Sequence, residues 1–370
     1  MKYNVPFIKP TFPSAEELIK DYQEIVAKNW FTNFGPFEQE FRRQISGYLG
    51  DGISTCTVSN ATAGLEIAIR QLFLPSKGRG EVIMPSFTFA AGVDVVLGQG
   101  YVPVLIDIDD NWQPDFDQAS AYLASSHSKV SGILLGNSFG VGNPRIALWE
   151  DLAKTYSIPL VIDSAAGFGS LYVDGSKLGT KGDCEVFSFH ATKPFAIGEG
   201  GAISSLDGRF IASCKDATNF GFSERRKAER IGTNAKLQEL CAAIGLHQLR
   251  GYEQRLKARR RSLAFYKKEL AHVDLTFQVN DENSTVPFVC VAFRTAEKAN
   301  QVIRDMLSNG IEAKQYYDPV HYQPIMQQVK YKQLSLGRTE ELASRIVALP
   351  LHDRMEKETI TSIARLIDAS

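Results

Sequence analysis

The sequence predicts an α/β protein with a large domain on a mostly parallel mixed sheet, followed by a smaller C-terminal α/β domain. Short, nearly continuous apolar runs alternate with helical patterns over the first two-thirds of the chain. Such runs are typical of strands that helices cover on both faces of a parallel sheet. A chain of 370 residues is also too long for one ordinary domain. We therefore expect a large domain over residues 1–245 and a small domain over residues 246–370.

The individual elements follow from the same patterns. Strands are predicted at Ser54–Val58, Glu81–Met84, Val102–Ile108, Val130–Leu135, Leu160–Asp163, Glu185–Phe189 and Ala202–Ser204. Helices are predicted at Gly64–Phe73 and Arg145–Tyr156, and a long helical pattern over Gln238–Leu270 carries the domain boundary. The small domain is predicted to contain a strand at Phe288–Phe293, a helix at Ala296–Ser308, a turn at Asn309–Gly310, a strand at Ala313–Tyr317 and a terminal helix.

The composition argues against several classes of protein. Hydrophobic residues make up 44% of the chain, and its formal net charge is -1, so no global field attracts nucleic acid or an anionic membrane. The N-terminus lacks a signal-peptide pattern, and no apolar run is long enough to span a bilayer. The five cysteines are scattered without a C-x-x-C pair, which favours reduced thiols over a disulfide framework or a zinc site. We expect a cytoplasmic protein without a metal.

Lys193 is the first candidate functional residue. It follows the apolar strand that ends near Phe189, and Gly198, Gly200 and Gly201 come shortly after it. Apolar surroundings lower the pKa of an amine, and a neutral amine can form an imine with an aldehyde cofactor. Glycines let the backbone pass close to a flat ligand. The same pattern also fits an ordinary loop lysine before a hairpin, so this segment alone leaves both interpretations open.

Two further segments add candidate ligand contacts. Ser59–Leu65 follows a strand and opens an amphipathic helix, whose free N–H groups form an anion site suited to a cofactor phosphate. Ordinary helix capping by Ser59 or Thr62 explains the same residues equally well. Pro85–Phe89 follows another strand and offers aromatic faces for stacking on a planar ring. Core packing is the alternative, and we expect it for Phe87.

Asp163 ends a predicted buried strand, at the edge where ligands of α/β sheets bind. A carboxylate there can pair with a protonated pyridine nitrogen and strengthen an electron-withdrawing cofactor. The alternatives are a helix cap or a metal ligand, but no cluster of His, Cys or carboxylates supports a metal. A nicotinamide-dependent dehydrogenase is disfavoured because no G-x-G-x-x-G follows an early strand.

Taken together, these segments resemble the DegT/DnrJ/EryC1/StrS family of sugar aminotransferases. That family consists of pyridoxal-5′-phosphate (PLP) enzymes of fold type I, the aspartate-aminotransferase fold. The resemblance covers nearly the whole chain through Trp30–Pro36, Ser59–Leu65, Pro85–Phe89, Asp163, Ser188–Lys193, Gly198–Gly201, Gly232–Ala243, Pro319–His321 and Leu349–His352. No single motif is decisive, but their order and spacing are jointly specific.

The resemblance implies a role for each matching residue. Lys193 would bond the cofactor aldehyde and carry the proton during transfer, and Asp163 would bind the pyridine nitrogen. The implied cofactor contacts, besides these two, are Ala61, Thr62, Phe89, Ser188 and Asn234, and the implied substrate contacts are Asn33, Phe34, His321 and Lys236. In this family the asparagine comes from the neighbouring subunit, which implies a homodimer with shared active sites.

The resemblance also implies a reaction. Glutamate would give its amino group to PLP, which would pass it to a nucleotide-linked keto-sugar, with C4 of dTDP-4-keto-6-deoxyglucose as the specific expectation. C3-keto-sugar nucleotides, keto-inositols and a non-catalytic PLP-binding regulatory role are the alternatives. Two positions depart from the family: Ala166 replaces the usual Gln or His near the ring hydroxyl, and Lys236 replaces the commoner Arg, which weakens a bidentate grip on the donor's carboxylate.

Overall fold

The computed structural model describes residues 3–73, 80–223 and 226–370. Its strands are β1 (Ser54–Val58), β2 (Glu81–Pro85), β3 (Val102–Ile106), β4 (Val130–Gly136), β5 (Leu160–Asp163), β6 (Cys184–Ser188), β7 (Gly201–Ser205), β8 (Leu275–Phe277), β9 (Val289–Phe293), β10 (Lys332–Gln333) and β11 (Ile346–Leu349). Eight of them form one sheet in the order β1-β7-β6-β5-β4-β2-β3-β10, and three form a second sheet in the order β11-β9-β8.

The large sheet is mixed but mostly parallel, as predicted. Strands β3, β2, β4, β5 and β6 pair in parallel, whereas β7 runs antiparallel to both β6 and β1. Strand β1 therefore points the same way as β6. The carboxyl ends of β1, β2, β4, β5 and β6 consequently lie along one edge of the sheet, where α/β folds bind ligands.

Twelve α-helices surround these sheets in the described residues. They are α1 (Ala15–Lys28), α2 (Pro36–Leu49), α3 (Ala61–Leu72), α4 (Ala90–Gly98), α5 (Phe116–Ser126), α6 (Ile146–Tyr156), α7 (Gly208–Thr218), α8 (Glu239–Leu249), α9 (Tyr252–Glu269), α10 (Ala296–Ser308), α11 (Gly337–Arg345) and α12 (Lys357–Ala369). The side chains of Ser14, Asp115, Asp207 and Thr295 cap the first turns of α1, α5, α7 and α10. None of the described helices has the length and apolar character needed to cross a bilayer.

Both faces of the large sheet are buried, which explains the continuous apolar runs. Alternate residues of β2 point to opposite sides: Ile83 joins a core with α2, α5, α6, α8 and α9, and Val82 and Met84 join a core with α3, α4 and α7. A third core lies between the small sheet, α10 and α12. Helix α9 contributes Leu256 to the first core and Leu263 to the third, so it connects the two parts of the molecule.

The structure corrects two predictions in the C-terminal part. The helical pattern Gln238–Leu270 forms two helices, α8 and α9, because the chain turns at Gly251, whose φ of 75° lies in the left-handed region that glycine tolerates. Ala313–Tyr317 is not a strand; only Lys314 makes an isolated bridge, with Ala348 of β11. Strand β10 also joins the large sheet beside β3. The domain boundary at residues 245/246 stays a prediction.

Candidate active site

Lys193 lies in a short closed loop after β6. The loop is fastened by hydrogen bonds from Ala191 N to Gly198 O (2.8 Å) and from Ile197 N to Phe189 O (2.9 Å). Phe195, 1% exposed, anchors the loop in the first core. Burial lowers the pKa of Lys193, and the nearby Asp163 charge only partly opposes this. The amine therefore loses its proton more readily than a surface lysine does.

Asp163 ends β5 close enough to Lys193 for the two charges to affect each other. Burial raises the pKa of its carboxyl, while the hydrogen bond from Ala165 N and the positive charge of Lys193 act in the opposite direction. That hydrogen bond reaches Oδ1 at 2.9 Å. A half-buried carboxylate with one oxygen bonded in this way can receive a cationic ring N–H of a ligand.

The start of α3 lies at the same edge of the sheet. Asn60, and neither Ser59 nor Thr62, caps this helix: its Oδ1 accepts a hydrogen bond from Ala63 N at 2.9 Å. Helix capping, the alternative interpretation of this segment, is therefore correct, but the capping residue is Asn60 and not Ser59 or Thr62. Thr62 is exposed in the first turn, where helix N–H groups and the helix dipole favour an anion.

Ser188 and Gly201 face this helix start from the neighbouring strands. Ser188 is buried, and its Oγ accepts a hydrogen bond from His190 N at 3.3 Å. A Cβ atom on Gly201 would lie 3.1 Å from Ala61 N and 2.5 Å from Phe187 O. Only glycine fits there, so β7 can start directly beneath the N-terminus of α3.

Phe89 and Phe87 differ as predicted. Phe87 is 1% exposed in a core between the two sheets, whereas Phe89 is 60% exposed just before α4. The ring of Phe89 lies 6.3 Å from that of Tyr317, whose ring in turn stacks on Phe139 at 5.0 Å. An exposed aromatic ring held beside a half-buried one offers a face for a planar ligand.

His321 lies near these aromatic residues and is held at both ring nitrogens. Its Nδ1 is 2.6 Å from Ser86 Oγ, and its Nε2 is 3.3 Å from Glu340 Oε1. Burial lowers the pKa of His321, although Glu340 and Asp107 oppose this effect. The side chain is thus neutral and rigidly oriented at neutral pH.

Asn33 and Phe34 lie in a strained loop before α2. Their φ angles of 64° and 61° are in the left-handed region, which non-glycine residues adopt mainly where function or packing requires it. Directly after this loop, the Glu239 carboxylate holds the first turn of α2 by accepting hydrogen bonds from Phe37 N and Glu38 N, each at 2.9 Å. Phe34 itself lies against Lys215 of α7, with 4.7 Å between Nζ and the ring centroid.

Asn234 and Lys236 form a pair on the surface of the chain. Lys236 Nζ donates to Asn234 Oδ1 at 2.7 Å and to Asn219 Oδ1 at 2.9 Å. Burial lowers the pKa of Lys236. The segment is tied to the start of α3 by a hydrogen bond from Ser59 N to Ala235 O at 2.7 Å. Within one chain, Asn234 and Lys236 are therefore in direct contact with each other.

The residues at the sheet edge fit a phosphorylated aldehyde cofactor with a pyridine ring. A desolvated lysine, a half-buried carboxylate beside it, an exposed aromatic ring and a glycine-lined helix start supply the contacts that such a group needs. The described residues contain no group of three or more His, Cys, Asp or Glu side chains arranged to hold a metal ion.

The sequence analysis assigned no role to two residues of this region, Tyr317 and His352. Tyr317 lies between Phe89 and Phe139, and burial, with smaller contributions from Cys290 and Asp163, raises the pKa of its hydroxyl. His352 lines a cleft together with Lys193. His352 ends the segment Leu349–His352, and Tyr317 lies two residues before Pro319–His321; both segments contributed to the family resemblance, which was the signal in the sequence that could have pointed to these residues.

Comparison with known proteins agrees with the class of protein that the fold and the lysine site define, a PLP-dependent aminotransferase. A proposed PLP-dependent aminotransferase from Bacillus cereus ATCC 10987 superposes with a TM-score of 0.91 at 33% identity, covering 99% of this chain and 100% of that one. DesI, solved in the presence of its TDP-sugar product, superposes with a TM-score of 0.87 at 29% identity, covering 99% of this chain and 92% of that one.

Curated relatives extend the comparison. Protein Rv3402c of Mycobacterium tuberculosis (strain ATCC 25618 / H37Rv) is 41% identical over 367 residues, 98% of this chain and 89% of the relative. GDP-perosamine synthase of Escherichia coli O157:H7 is 28% identical over 100% of this chain and 98% of its own. The dTDP-4-amino-4,6-dideoxy-D-glucose transaminase of Shigella dysenteriae is 28% identical over 97% of both chains.

The profile of one family matches residues 13–368. The chain belongs to the DegT/DnrJ/EryC1/StrS aminotransferase family. It is therefore a sugar aminotransferase of the PLP-dependent class, and PLP is its cofactor. The fold-type-I architecture predicted from the sequence is confirmed.

Proposed function

We propose that this enzyme transfers the amino group of glutamate to C4 of a nucleotide-linked 4-keto-6-deoxy sugar, with dTDP-4-keto-6-deoxyglucose as the acceptor. The relative from Shigella dysenteriae is named for a dTDP-linked 4-amino-4,6-dideoxy sugar, and the one from Escherichia coli for GDP-perosamine. These names support a nucleotide-sugar acceptor, while the nucleotide differs between them. The observation that carries the proposal is the desolvated Lys193 beside Asp163 at the carboxyl edge of the sheet.

Lys193 is the proposed catalytic base and acid. Bound PLP supplies an aldehyde that carries the amino group and a ring that withdraws electrons from the reacting carbon. Lys193 Nζ takes the proton from Cα of glutamate and later delivers a proton to C4 of the sugar. Its lowered pKa favours the neutral amine that accepts a proton near neutral pH.

The other residues hold the cofactor. Asp163 would bind the pyridine nitrogen. Ala61 N, Thr62 and Ser188 would hold the phosphate at the start of α3. Phe89, whose ring lies 6.3 Å from that of Tyr317, would contact the face of the cofactor ring. Ala166 supplies no polar contact to the ring hydroxyl.

Sugar and donor contacts come from Asn33, Phe34, His321 and Lys236. The backbone of Asn33 and Phe34 is held in the left-handed region, and the ring of His321 is held by Ser86, so these groups are positioned in part before substrate binds. Such preorganisation lowers the entropic cost of binding.

The active enzyme is proposed to be a cytoplasmic homodimer in which Asn234 completes the partner's phosphate site. Asn234 is exposed, and so are the apolar side chains of Phe220 (48%), Phe222 (39%) and Ile231 (73%) on the same segment. Exposed apolar groups of this kind mark interaction surfaces. The five cysteines are free, which is consistent with a reducing compartment.

Subunit mixing tests the shared site. Lys193→Ala and Asn234→Ala are each expected to be nearly inactive. In a 1:1 mixture, half of the dimers contain both variants, and one of their two sites has both native residues. Activity should therefore recover to about a quarter of the wild-type value. No recovery after verified subunit exchange would contradict an asparagine supplied in trans.

The central test is an absorbance experiment on purified, PLP-loaded protein. Glutamate should bleach the cofactor band, and one keto-sugar nucleotide should restore it. Acceptors with dTDP, GDP and UDP, with C3- and C4-keto groups, and a keto-inositol are compared. Lys193→Ala should bind PLP without the lysine-linked band. A band that no amino donor changes would instead indicate the non-catalytic PLP-binding role.

A further inference from the structure

A cleft lies at the β1 end of the large sheet, between helices α2 and α7, which both pack on β1. Its volume is about 350 Å³. Sites for small molecules in proteins commonly enclose about 300–1,000 Å³. Two cations line the cleft, Arg42 of α2 and Lys215 of α7, together with Ser54 and the apolar side chains of Ile53 and Ile211. None of these residues belongs to the lysine site.

Arg42 is half-buried and uses only part of its donor capacity. Its Nε donates to Glu38 Oε1 at 3.1 Å, and the same oxygen accepts from Thr57 Oγ1 at 2.6 Å. Neither Nη atom of Arg42 has a hydrogen-bond acceptor among residues 3–73, 80–223 and 226–370. The Glu38 pair therefore fixes the guanidinium while its outer N–H groups stay open to an oxyanion.

Lys215 is also half-buried, and its ammonium group faces a ring instead of an acceptor. Its Nζ lies 4.7 Å from the centroid of Phe34 and makes no hydrogen bond or ion pair within the part of the chain that the structure describes. The neighbouring Asp216 pairs with Arg230 instead, with 3.6 Å between Oδ2 and Nη2. A ring face attracts the charge but leaves the three N–H groups free for a ligand. Ser54 Oγ likewise has no hydrogen-bond partner in the described residues.

The charged groups of both helices surround the same point of β1. Burial is the largest cause that raises the pKa of Cys56 on this strand to about 12, and four charges act on the thiol besides: Glu38, Arg42, Lys215 and Asp216. The two acids among them are already paired, Glu38 with Arg42 Nε and Asp216 with Arg230. The bonding capacity that remains at the cleft therefore belongs to cations and hydroxyl groups, which suits an anion.

We propose that the cleft between α2 and α7 binds a phosphate group, either as the free ion or as part of a phosphate ester. A phosphate group carries about −1.5 to −2 charges at pH 7 and offers at least three acceptor oxygens, which match Arg42, Lys215 and Ser54. A carboxylate has one charge and two oxygens, so it would leave one of the two cations unmatched. The apolar Ile53 and Ile211 lie beside these donors, where the body of an ester would pack.

Calorimetry on the PLP-loaded protein tests the site, because bound PLP occupies the cofactor's own phosphate position. Inorganic phosphate, titrated at constant ionic strength, should bind with one site per chain. In Lys215→Gln its Kd should rise about 10-fold or more, because a charge-assisted hydrogen bond is lost. Lys215→Arg keeps the charge and should stay within about threefold of wild type. Arg42→Gln should weaken binding as much as Lys215→Gln, and the Lys215 variants decide if loss of the Glu38 pair unfolds it.

The matched control removes a charge from the same helix. Arg209→Gln, at an exposed position in the first turn of α7, should bind phosphate within about twofold of wild type. Acetate should bind at least about 10-fold more weakly than phosphate, because it carries a single charge. Glucose 1-phosphate that binds more tightly than phosphate identifies an ester as the ligand, and weaker binding identifies the free ion. An unchanged Kd in Lys215→Gln, an equal loss in Arg209→Gln, or acetate as tight as phosphate would each overturn the proposal.

Crystals soaked in tungstate give the position of the anion directly. Tungstate has the shape and charge of phosphate, and its metal scatters X-rays anomalously. An anomalous peak should appear between α2 and α7, within hydrogen-bond distance of Arg42 Nη and Lys215 Nζ. Crystals of Lys215→Gln soaked in the same way should lack this peak. Peaks that occur only elsewhere on the PLP-loaded protein would show that the cleft is not a phosphate site.

Discussion

Two carboxylates on neighbouring strands, the half-buried Asp163 and the buried Glu185, have different surroundings. Asp163 ends β5, and Glu185 lies on β6 opposite Ile162, one residue away in register. Burial raises the pKa of both, that of Glu185 to about 7. Glu185 is fully buried, and its oxygens accept hydrogen bonds from Ser164 Oγ, Gly179 N (2.6 Å) and Lys181 N (3.1 Å).

The two carboxylates differ in whether they can still accept a hydrogen bond from a ligand. Protein donors bond both oxygens of Glu185, so this residue can organise the chain but offers nothing to a ligand. Asp163 receives a hydrogen bond from Ala165 N on Oδ1, and Oδ2 has no hydrogen-bond partner among residues 3–73, 80–223 and 226–370, so it can accept from a ligand. A raised pKa alone therefore does not identify a functional carboxylate; it has to be combined with open bonding capacity and an edge position.

The largest expected effect is that of Asp163→Asn. Loss of the charge opposite the pyridine nitrogen should lower kcat by at least about 100-fold, the size expected when one preorganised electrostatic contact at the reacting centre is lost. The melting temperature should change little, because Asn fits the same space. Steady-state kinetics and thermal unfolding of the same preparation measure the two quantities. Near wild-type kcat would show that Asp163 is as structural as Glu185.

Glu185→Ala should do the reverse of Asp163→Asn: it should lower stability and leave kcat nearly unchanged. It leaves Ser164, Gly179 and Lys181 with unpaired polar groups, so the free energy of unfolding should fall by about 3 kcal/mol. The folded fraction should keep its PLP absorbance, and its kcat should stay within about threefold of wild type. Denaturant unfolding with activity per bound PLP measures both. The matched control is Glu341→Ala, at an exposed position. A loss of kcat without loss of stability would contradict the structural role.

The pH dependence of stability distinguishes Glu185 further. Its pKa is raised from 4.5 to about 7, so its folded form prefers the proton. This preference contributes stability that is fully present below pH 4.5 and is lost as the pH rises through 7. The wild-type melting temperature should therefore fall between pH 6 and 9 by a few degrees more than that of Glu185→Gln. Parallel curves for the two proteins would rule out a titrating Glu185.

Ser164→Ala should have the smallest effect. Ser164 follows Asp163 directly and bonds Glu185, and its Oγ also accepts from Asn137 Nδ2 at 2.8 Å. Loss of this hydroxyl should cost about 1–2 kcal/mol of stability, with kcat within about twofold of wild type. A kcat that falls with Ser164→Ala would show that the Glu185 network also positions Asp163.

The sequence predicted the features that depend on local pattern. Strands β1 to β7 of the large sheet were each found within two residues at each end, because both faces of these strands are buried and their apolar runs are continuous. Strand β10, two residues long, was not predicted. The exposed Phe89 and buried Phe87 were also distinguished. The Lys193 loop and Asp163 follow directly from strand ends, so their common edge could be predicted.

Features that depend on long-range packing were not predictable. In the sequence, Glu185 is one polar residue within a strand. Only the structure shows that Gly179 N and Lys181 N, from a distant loop, donate hydrogen bonds to its carboxylate. Nδ1 of His352 has no hydrogen-bond partner in the part of the chain that the structure describes, and its burial depends on how residues 8–11 and 351–353 meet Lys193. Gly251 breaks a helical pattern that its neighbours otherwise continue. The assigned roles of Asn234 and Lys236 need a second subunit and stay predictions.

Strand β10 has a consequence for solubility. Lys332 and Gln333 pair with Val104 and Leu105, so this short segment covers the outer side of β3. An uncovered β3 would present unpaired backbone groups of an apolar strand, a site for edge-to-edge association with another molecule. The covering segment is two residues long and carries a lysine, and Lys332 Nζ pairs with Glu81 of β2. It therefore ends the sheet with a strand too short and too charged to recruit another chain.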